Sequence, residues 1–560
     1  MSIEGSRAVE RIERQTWVSK RRETLAGGFG MAVKTDDTIA GSAHIDGGIL
    51  RRLADRIAAF GAREELWSNM PFTGEMLGAV PRCTGEDVTE AARRARAAQQ
   101  PWSRWSFEER AGVFLRYHDL LLGRQREILD LMQLETGKAR KHAFEEVADS
   151  AVVSRYYARS ARDHLRTRRR KGAFPVLTLA REAHHPKGLV GIISPWNYPF
   201  TLAISDAIPA LMAGNAVLIK PDEQTPFTAL WGVDLLYEAG LPRELFAVVT
   251  GEGSELGPPL IESVDYVSFT GSTKTGRLVA RQAGERLIGC SLELGGKNAM
   301  LVLEDADLER TVEGAIHACF ANAGQLCISI ERLFAHEEVY DRFVERFVER
   351  ARSMKIGPGL DYESEMGTLI SAQQLEIAER HVRDAVRKGA NVLAGGRARP
   401  DLGTYFYEPT VLENDQPGME LFADETFGLV VTLGRFADID EAIQKANDSP
   451  YGLNASVWTR DTKRGYRVAN KIQAGTVNVN EAYGAAWLST DAPMGSMKDS
   501  GLGRRHGAEG IQKYTESQTI AIQRLLPIGT LPGVGEELYS RLMTGIMRAL
   551  KRTRRPPRLR

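Results

Sequence analysis

The strongest constraint on the fold is a regular alternation of short apolar, β-branched runs with helical stretches between residues 188 and 294. Four such runs occur, at Leu189–Ile193, 216–219, 246–249 and 266–269. Strands that alternate with helices form a parallel sheet with helices on its faces. The pattern therefore predicts an α/β fold whose first large unit has the layout of a dinucleotide-binding domain.

A second α/β alternation follows between residue 299 and about residue 479. It contains apolar runs at 299–303, 430–433 and 455–458, and a helix predicted to begin near Asp307. A chain of 560 residues is longer than one hydrophobic core usually supports. We therefore expect two α/β domains, preceded by a helical segment over about 86–166.

Charge and cysteine content exclude several classes of function. The 73 basic side chains are matched by 73 acidic ones, so no global field attracts nucleic acid. Four cysteines give neither a disulfide framework nor a CxxC metal pattern, and we expect no metal site. We find neither a signal sequence nor a long apolar stretch, and therefore predict a cytoplasmic protein. The cysteines are Cys83, Cys290, Cys319 and Cys327.

The two ends differ from the rest of the chain. Residues 1–50 are polar and Gly-rich, so we expect a mobile extension there. Near the other end, six apolar residues share one helical face and a basic cluster follows them. Two interpretations stay open for this tail: contact with an anionic membrane surface, or packing on its own protein. The apolar residues are Leu538, Leu542, Met543, Ile546, Met547 and Leu550.

The stretch around Cys327 indicates a nucleophile. In Asn-Ala-Gly-Gln-Leu-Cys-Ile-Ser, the cysteine follows a predicted helix through a Gly-containing turn that leaves its thiol and N–H free. A thiolate attacks an aldehyde carbon, and the resulting oxyanion needs hydrogen-bond donors. An isolated cysteine is more often a small core residue. Cys319, on an apolar helical stripe, is interpreted as such a core residue.

Two further segments supply groups that suit this chemistry. Glu293 stands among apolar residues before two glycines, where burial would raise its pKa and make it a general base near neutral pH. Asn197 lies between two prolines and offers N–H donors for an oxyanion. Taken singly, each is equally compatible with an ordinary turn.

Candidate nucleotide contacts follow the predicted strands. Gly271 and Ser272 lie between a strand and a helix, where backbone N–H groups and the hydroxyl can meet a pyrophosphate. Lys220 and Glu223 follow another strand at its carboxyl end, the edge that binds nucleotides in open parallel sheets.

In this order, from about residue 65 to 523, the segments resemble the aldehyde dehydrogenase superfamily, and most of all a mycobacterial branch labelled succinate-semialdehyde dehydrogenase. The resemblance implies Cys327 as nucleophile, Glu293 as base, and Asn197 with the Cys327 N–H as oxyanion hole. It implies oxidation of an aldehyde to an acid through a cysteine thioester. The cofactor contacts that it implies are Trp196, Asn197, Lys220, Glu223, Gly271, Ser272, Leu294, Glu425 and Phe427.

The resemblance also implies a domain division and an assembly. It assigns a cofactor-binding domain to 51–295, with an oligomerisation hairpin near 175–186, and a catalytic domain to 296–485. Residues 486–525 return to the cofactor domain and supply an oligomerisation strand, and 526–560 form the basic tail. A homodimer or homotetramer is expected.

Cofactor and substrate are less constrained. Glu223 can bind both hydroxyls of the adenosine ribose and repels a 2′-phosphate, which favours NAD, whereas Lys220 leaves NADP open. Ala321 and Ser205 occupy the positions of two arginines that bind a substrate carboxylate in succinate-semialdehyde dehydrogenases. Aliphatic and aromatic aldehydes therefore stay open as substrates, as do a CoA-acylating enzyme and a non-catalytic binding protein on the same fold.

Overall fold

The structure is a computed structural model that describes residues 45, 47–172, 178–524, 527–530 and 532–552. Residues 1–44 and 46, most of the predicted mobile extension, lie outside the described residues. Helix α1 (Gly47–Ala54) buries Leu50 and Leu53 against the first domain. The predicted boundary at residue 50 lies inside this helix.

A hairpin and four helices form the entry to the first domain. Two of the helices begin with a capping box, in which Thr84 and Asp87, and likewise Ser106 and Glu109, satisfy backbone N–H groups reciprocally. The predicted helical segment is thus present and is divided into separate helices. The elements are β1 (Glu65–Asn69), β2 (Met76–Pro81), α2 (Gly85–Trp102), α3 (Phe107–Gly123), α4 (Gln125–Thr136) and α5 (Arg140–Leu165).

Two antiparallel strands follow, β3 (Arg168–Arg170) and β4 (Thr178–Pro186). Residues 173–177, which include the start of the predicted hairpin at 175, lie outside the described residues.

The first large sheet contains the strands predicted from the apolar runs. Five of its six strands are parallel, in the order β9-β8-β5-β6-β7, because each connection between them crosses over through a helix. Its elements are β5 (Leu189–Ile193), α6 (Pro199–Met212), β6 (Ala216–Lys220), α7 (Pro226–Glu238), β7 (Phe246–Val248), α8 (Gly253–Ser263), β8 (Tyr266–Thr270), α9 (Thr273–Glu285) and β9 (Gly289–Glu293).

The second large sheet has the order β12-β13-β14-β11-β10-β16-β17, with β12 antiparallel at one edge. Asp307 caps the helix that was predicted to begin there. The elements are β10 (Asn298–Val302), α10 (Leu308–Phe320), β11 (Ile330–His336), α11 (Glu337–Arg352), α12 (Ala372–Arg387), β12 (Asn391–Ala394), β13 (Thr410–Glu413), α13 (Glu420–Ala423), β14 (Val430–Phe436), α14 (Ile439–Asn447), β15 (Tyr451–Gly452), β16 (Asn454–Trp458), α15 (Thr462–Ala469) and β17 (Thr476–Val479).

The chain then returns to the first domain. Strand β20 pairs with β9 next to Glu293, and β22 pairs with β4 along its whole length. This three-stranded sheet of β22, β4 and β3 lies at the predicted oligomerisation element. The returning elements are α16 (Gly484–Trp487), β18 (Met494–Gly495), β19 (Met497–Lys498), β20 (Gly501–Leu502), β21 (Arg504–Arg505), α17 (Gly507–Gln512) and β22 (Thr515–Gln523).

The predicted amphipathic tail forms helix α18 (Glu536–Arg552). Leu538, Leu542, Ile546 and Met547 on its apolar face are exposed, so packing on the rest of the described chain does not cover this face. Among the described helices, none is long and apolar enough to cross a membrane.

Candidate active site

The loop that carries Cys327 is held in a specific conformation. After α10, a 3-10 turn at Ala321–Gly324 contains two non-glycine residues with left-handed backbone, Asn322 (φ 50°) and Ala323 (φ 57°). Gly324 has φ 71°, and a Cβ there would lie 2.1 Å from the carbonyl oxygen of Gly428. Only glycine fits such a position. The turn therefore fixes the backbone conformation that leads to Cys327.

Buried amides fix the loop from several sides. Asn298 Nδ2 donates to the carbonyl oxygens of Cys327 and Ser329, each at 2.7 Å. The Asn322 backbone N–H donates to His142 Nδ1 at 3.1 Å.

Burial, aided by Glu425 and Glu293, raises the pKa of the Cys327 thiol to about 12. The thiol is therefore protonated at neutral pH in this state and needs a base or a nearby positive charge.

Asn197 lies against the same loop. Its side-chain Nδ2 donates to the carbonyl oxygen of Gln325 at 3.0 Å, two residues before Cys327. Its own carbonyl accepts from Asn322 Nδ2 at 3.0 Å and from Lys138 Nζ at 2.8 Å. The structure thus brings together two of the predicted catalytic residues, which are 130 positions apart.

Glu293 ends strand β9, and its backbone carbonyl accepts from the Gly271 N–H at 3.0 Å. Burial raises the pKa of its carboxyl to about 7, and the positive charges of Arg505 and Lys513 limit the rise. Its Oε1 is buried and has no hydrogen-bond partner in the described residues. A carboxyl group of this kind is suited to accept a proton near neutral pH, as the sequence analysis expected.

Two aromatic residues and a carboxylate form a second group of predicted site residues. The rings of Trp196 and Phe427 meet edge to face, with centroids 5.4 Å apart. Glu425 Oε1 accepts from the Gly296 N–H at 2.8 Å, and burial raises the pKa of Glu425 to about 8. Phe427 has φ 53°, and its N–H donates to Glu331, which fixes this strained turn beside the cleft.

The remaining predicted nucleotide contacts occupy the strand ends of the first sheet. Lys220, at the end of β6, is buried and its Nζ lies 3.0 Å from Glu223 Oε2. Gly271 and Ser272 connect β8 to α9, where the Ser272 hydroxyl caps the helix at Thr275. Leu294 packs closely against Gly276 of this helix. A Cβ at position 276 would lie only 2.4 Å from Leu294 Cδ2.

Comparison with known proteins decides the family. The sequence model described as "Aldehyde dehydrogenase family" matches residues 61–520, which include every segment of the site. This chain belongs to the aldehyde dehydrogenase family. The resemblance and the α/β fold predicted from the sequence are thereby confirmed, and the enzyme class is that of an oxidoreductase acting on aldehydes.

Two mycobacterial relatives of this aldehyde dehydrogenase have a more specific name. It is 51% identical over 481 residues to "Putative succinate-semialdehyde dehydrogenase, NADP(+)" of Mycolicibacterium smegmatis, covering 86% of this chain and 93% of that protein. It is 49% identical over 501 residues to a Mycobacterium tuberculosis protein with the same name and the suffix 2, covering 90% and 96% of the two chains.

Solved structures show the same fold. An Escherichia coli NADP-dependent enzyme is 34% identical with a TM-score of 0.79, covering 84% of this chain and 97% of the other. An aldehyde dehydrogenase of Bacillus cereus in complex with NAD+ is 34% identical with a TM-score of 0.78, covering 83% and 96%.

The predicted cofactor contacts of this aldehyde dehydrogenase have the chemistry that a pyridine dinucleotide needs. Its predicted contacts lie at the carboxyl ends of β6 and β8, where nucleotides bind in open parallel sheets. Helix α9 begins directly after Ser272, and a helix N-terminus is a favourable place for a phosphate group. Use of NAD or NADP is consistent with both solved relatives.

Several residues that shape the site were not singled out in the sequence. Lys138 forms a fully buried ion pair with Glu146 and also binds the Asn197 carbonyl. Arg505 and Asp206 form a second buried pair, with Nε and Oδ1 3.0 Å apart. In the sequence these are ordinary charged residues on helices and loops, and only their burial distinguishes them.

Proposed function

We propose that Cys327 oxidises an aldehyde to a carboxylic acid through a thioester, with Glu293 as base and Asn197 as oxyanion donor. The observation that supports this most is the hydrogen bond from the Asn197 amide to Gln325, because it places an uncharged donor beside the nucleophile loop. One N–H of that amide is used in this bond, and the other is available to an oxyanion.

In the first half-reaction the Cys327 sulfur adds to the aldehyde carbon, and the thiol proton leaves to solvent. The carbonyl oxygen becomes an oxyanion held by the Asn197 amide and the Cys327 N–H. An oxidised nicotinamide held beside Glu425 and Phe427 would supply the acceptor for the hydride of that carbon, and its positive ring would favour the neighbouring thiolate. Loss of the hydride leaves a thioester on Cys327.

In the second half-reaction Glu293 takes a proton from water, whose oxygen attacks the thioester carbon. The carbon–sulfur bond breaks and the acid is released. In sum, an aldehyde, water and oxidised cofactor give an acid, reduced cofactor and a proton. A base with a pKa of about 7 suits this step. An enzyme that transfers the acyl group to CoA does not need a base that activates water.

We propose NAD as the preferred cofactor. The Glu223 carboxylate at the end of β6 repels a 2′-phosphate, and the neighbouring cation, Lys220, is already paired with it and with the Pro221 carbonyl. NADP is the alternative, which the names of the mycobacterial relatives favour.

Succinate semialdehyde is the substrate named for those relatives, and we propose it as the first compound to test. At the two positions where an arginine would bind the carboxylate of succinate semialdehyde, this chain has no positive charge. Ala321 has no polar side chain, and the Ser205 hydroxyl donates to the buried carboxylate of Asp149 at 2.7 Å. A neutral aliphatic or aromatic aldehyde needs no partner for a carboxylate.

We further propose a cytoplasmic homodimer or homotetramer. The sheet of β22, β4 and β3 supports this proposal, because eight of the nine residues of its edge strand β22 are exposed, including Ile520 and Ile522. Exposed edge strands of this kind pair with further chains.

Reduction of NAD or NADP, followed by absorbance over a panel of aldehydes with and without CoA, tests the function. Acid formation without CoA supports hydrolysis of a Cys327 thioester. Reduction that requires CoA identifies an acylating enzyme, and no reduction with any aldehyde leaves a non-catalytic binding protein.

A further inference from the structure

A carboxylate of helix α5, that of Glu145, lies between two tyrosine hydroxyls. Tyr198 donates to Oε2 at 3.2 Å, and Tyr483 lies 3.2 Å from both oxygens. His317 Nε2 is 3.7 Å away. The Glu145 side chain is 23% exposed, so a small molecule can reach it.

Further aromatic rings pack on the two tyrosines that bind this carboxylate. Trp487 meets Tyr198 at 5.6 Å between centroids and Tyr483 at 5.9 Å. His317 stacks on the other side of Tyr483 at 4.9 Å. Aromatic faces next to a carboxylate are the recurring way in which proteins bind an organic cation.

No lysine or arginine of the described chain forms an ion pair with Glu145, and burial raises the pKa of its carboxyl to about 7 against the weaker effect of Lys138 and Lys141. Within the described chain, His317 is the ion-pair partner of Glu145, and burial lowers the pKa of His317. Lys138, above the Tyr198 ring, is paired with Glu146. Lys141 acts on Glu145 only through space. A carboxylate that is desolvated and lacks a cation gains most from a cationic ligand.

This group of residues adjoins the reacting centre. Tyr198 directly follows Asn197, and Tyr198, Tyr483 and Trp487 belong to the apolar cluster on which Cys327 packs. His317 lies on α10, ten positions before the nucleophile. A substrate whose aldehyde carbon lies at Cys327 can therefore extend towards Glu145.

A metal ion is a poorer occupant. His142, Glu145 and His317 offer ligand atoms within 4.8 Å of one another. However, His142 Nδ1 accepts the Asn322 N–H, so the neutral ring carries its proton on Nε2 and has no second lone pair. Lys141 adds a positive charge beside these groups.

We propose that Glu145, with Tyr198, Tyr483 and Trp487, binds the ammonium group of an amino-aldehyde substrate. The inference rests on the proposed aldehyde oxidation and specifies its substrate class. The ammonium group donates to the Glu145 carboxylate and lies against the aromatic rings. The same carboxylate repels a substrate that carries its own carboxylate.

The test compares matched three-carbon aldehydes, 3-aminopropanal, propanal and 3-oxopropanoate, with succinate semialdehyde as a fourth. We expect kcat/KM for 3-aminopropanal to exceed that for propanal at least tenfold, and both carboxylate aldehydes to fall below propanal. Glu145→Gln should reduce the ratio of 3-aminopropanal to propanal at least tenfold. Tyr483→Phe, which keeps the ring, should reduce it less.

Glu309→Gln is the matched control, because Glu309 is an exposed carboxylate in the first turn of α10. It should leave the ratio unchanged. A second test uses the wild-type protein alone. Propylamine should inhibit the oxidation of propanal competitively, whereas propanol and propanoate should not.

Propanal oxidation that depends on Cys327, with no preference for 3-aminopropanal and no inhibition by propylamine, overturns this inference and leaves the proposed function standing. A ratio unaffected by Glu145→Gln also overturns it. If no aldehyde is oxidised at all, the proposed function and the inference fail together.

Discussion

The side-chain amide of Asn197 donates to the carbonyl oxygen of Gln325 at 3.0 Å, across 128 residues of sequence. This bond joins the loop after β5 to the loop after α10, and so connects the first domain to the nucleophile of the second. The position of the Asn197 amide relative to Cys327 is therefore set by contact between these two loops.

Removal of that donor should slow the chemical step. We expect Asn197→Ala to lower kcat by about 100- to 1000-fold, the usual loss for one oxyanion donor. Steady-state kinetics with propanal measures it, with a Tm showing that the variant folds. A folded variant with wild-type kcat would exclude Asn197 from the oxyanion hole.

The nucleophile has a matched control within the chain. Cys327→Ala should abolish aldehyde-dependent cofactor reduction, since no other group forms the thioester. Cys290→Ala should retain activity, because Cys290 is a half-buried residue of β9. Mass spectrometry of protein quenched during turnover should detect an acyl group on Cys327. An acyl group on another residue would contradict this assignment.

The pKa of Glu293 predicts a pH dependence. Burial raises it to about 7, and the base acts as a carboxylate. With propanal as substrate, kcat/KM should therefore rise as the pH increases through about 7 and level off above it. Glu293→Gln should remove this dependence and accumulate the thioester after a burst of reduced cofactor. Steady wild-type turnover by that variant would refute the role.

Glu223 should control cofactor choice. We expect the wild-type protein to have a higher kcat/KM with NAD than with NADP, and Glu223→Ser to shift the ratio at least tenfold towards NADP, because the carboxylate no longer repels a 2′-phosphate. Glu238→Ser, an exposed change on α7, serves as control. An unaltered ratio in Glu223→Ser would show that other groups make the choice.

The apolar face of α18 should bind an anionic surface if the tail is a membrane contact. Six basic residues, from Lys551 to the end of the chain, follow that face in the sequence. We expect the full chain to sediment with anionic vesicles more than with neutral ones, and deletion of 536–560 to remove the difference. Equal sedimentation of both proteins would end the membrane hypothesis.

Much of the first sheet follows from local pattern. The run at Leu189–Ile193 becomes β5 with the same bounds, and the others match their strands to within one or two residues, because each buried parallel strand is continuously apolar. Helix α1 was not predicted, because Leu50 and Leu53 in a short helix carry little periodic signal.

By itself, the sequence determined the chemical types at the site: a thiol at 327, a carboxyl among apolar residues at 293 and an amide at 197. Tertiary structure alone decided what surrounds them. Glu145, Tyr198, His317 and Tyr483 come from four distant segments, and the burial that raises the pKa of Glu293 to about 7 depends on strands paired across the sheet. Distances and desolvation between remote segments arise from packing, which no local pattern contains.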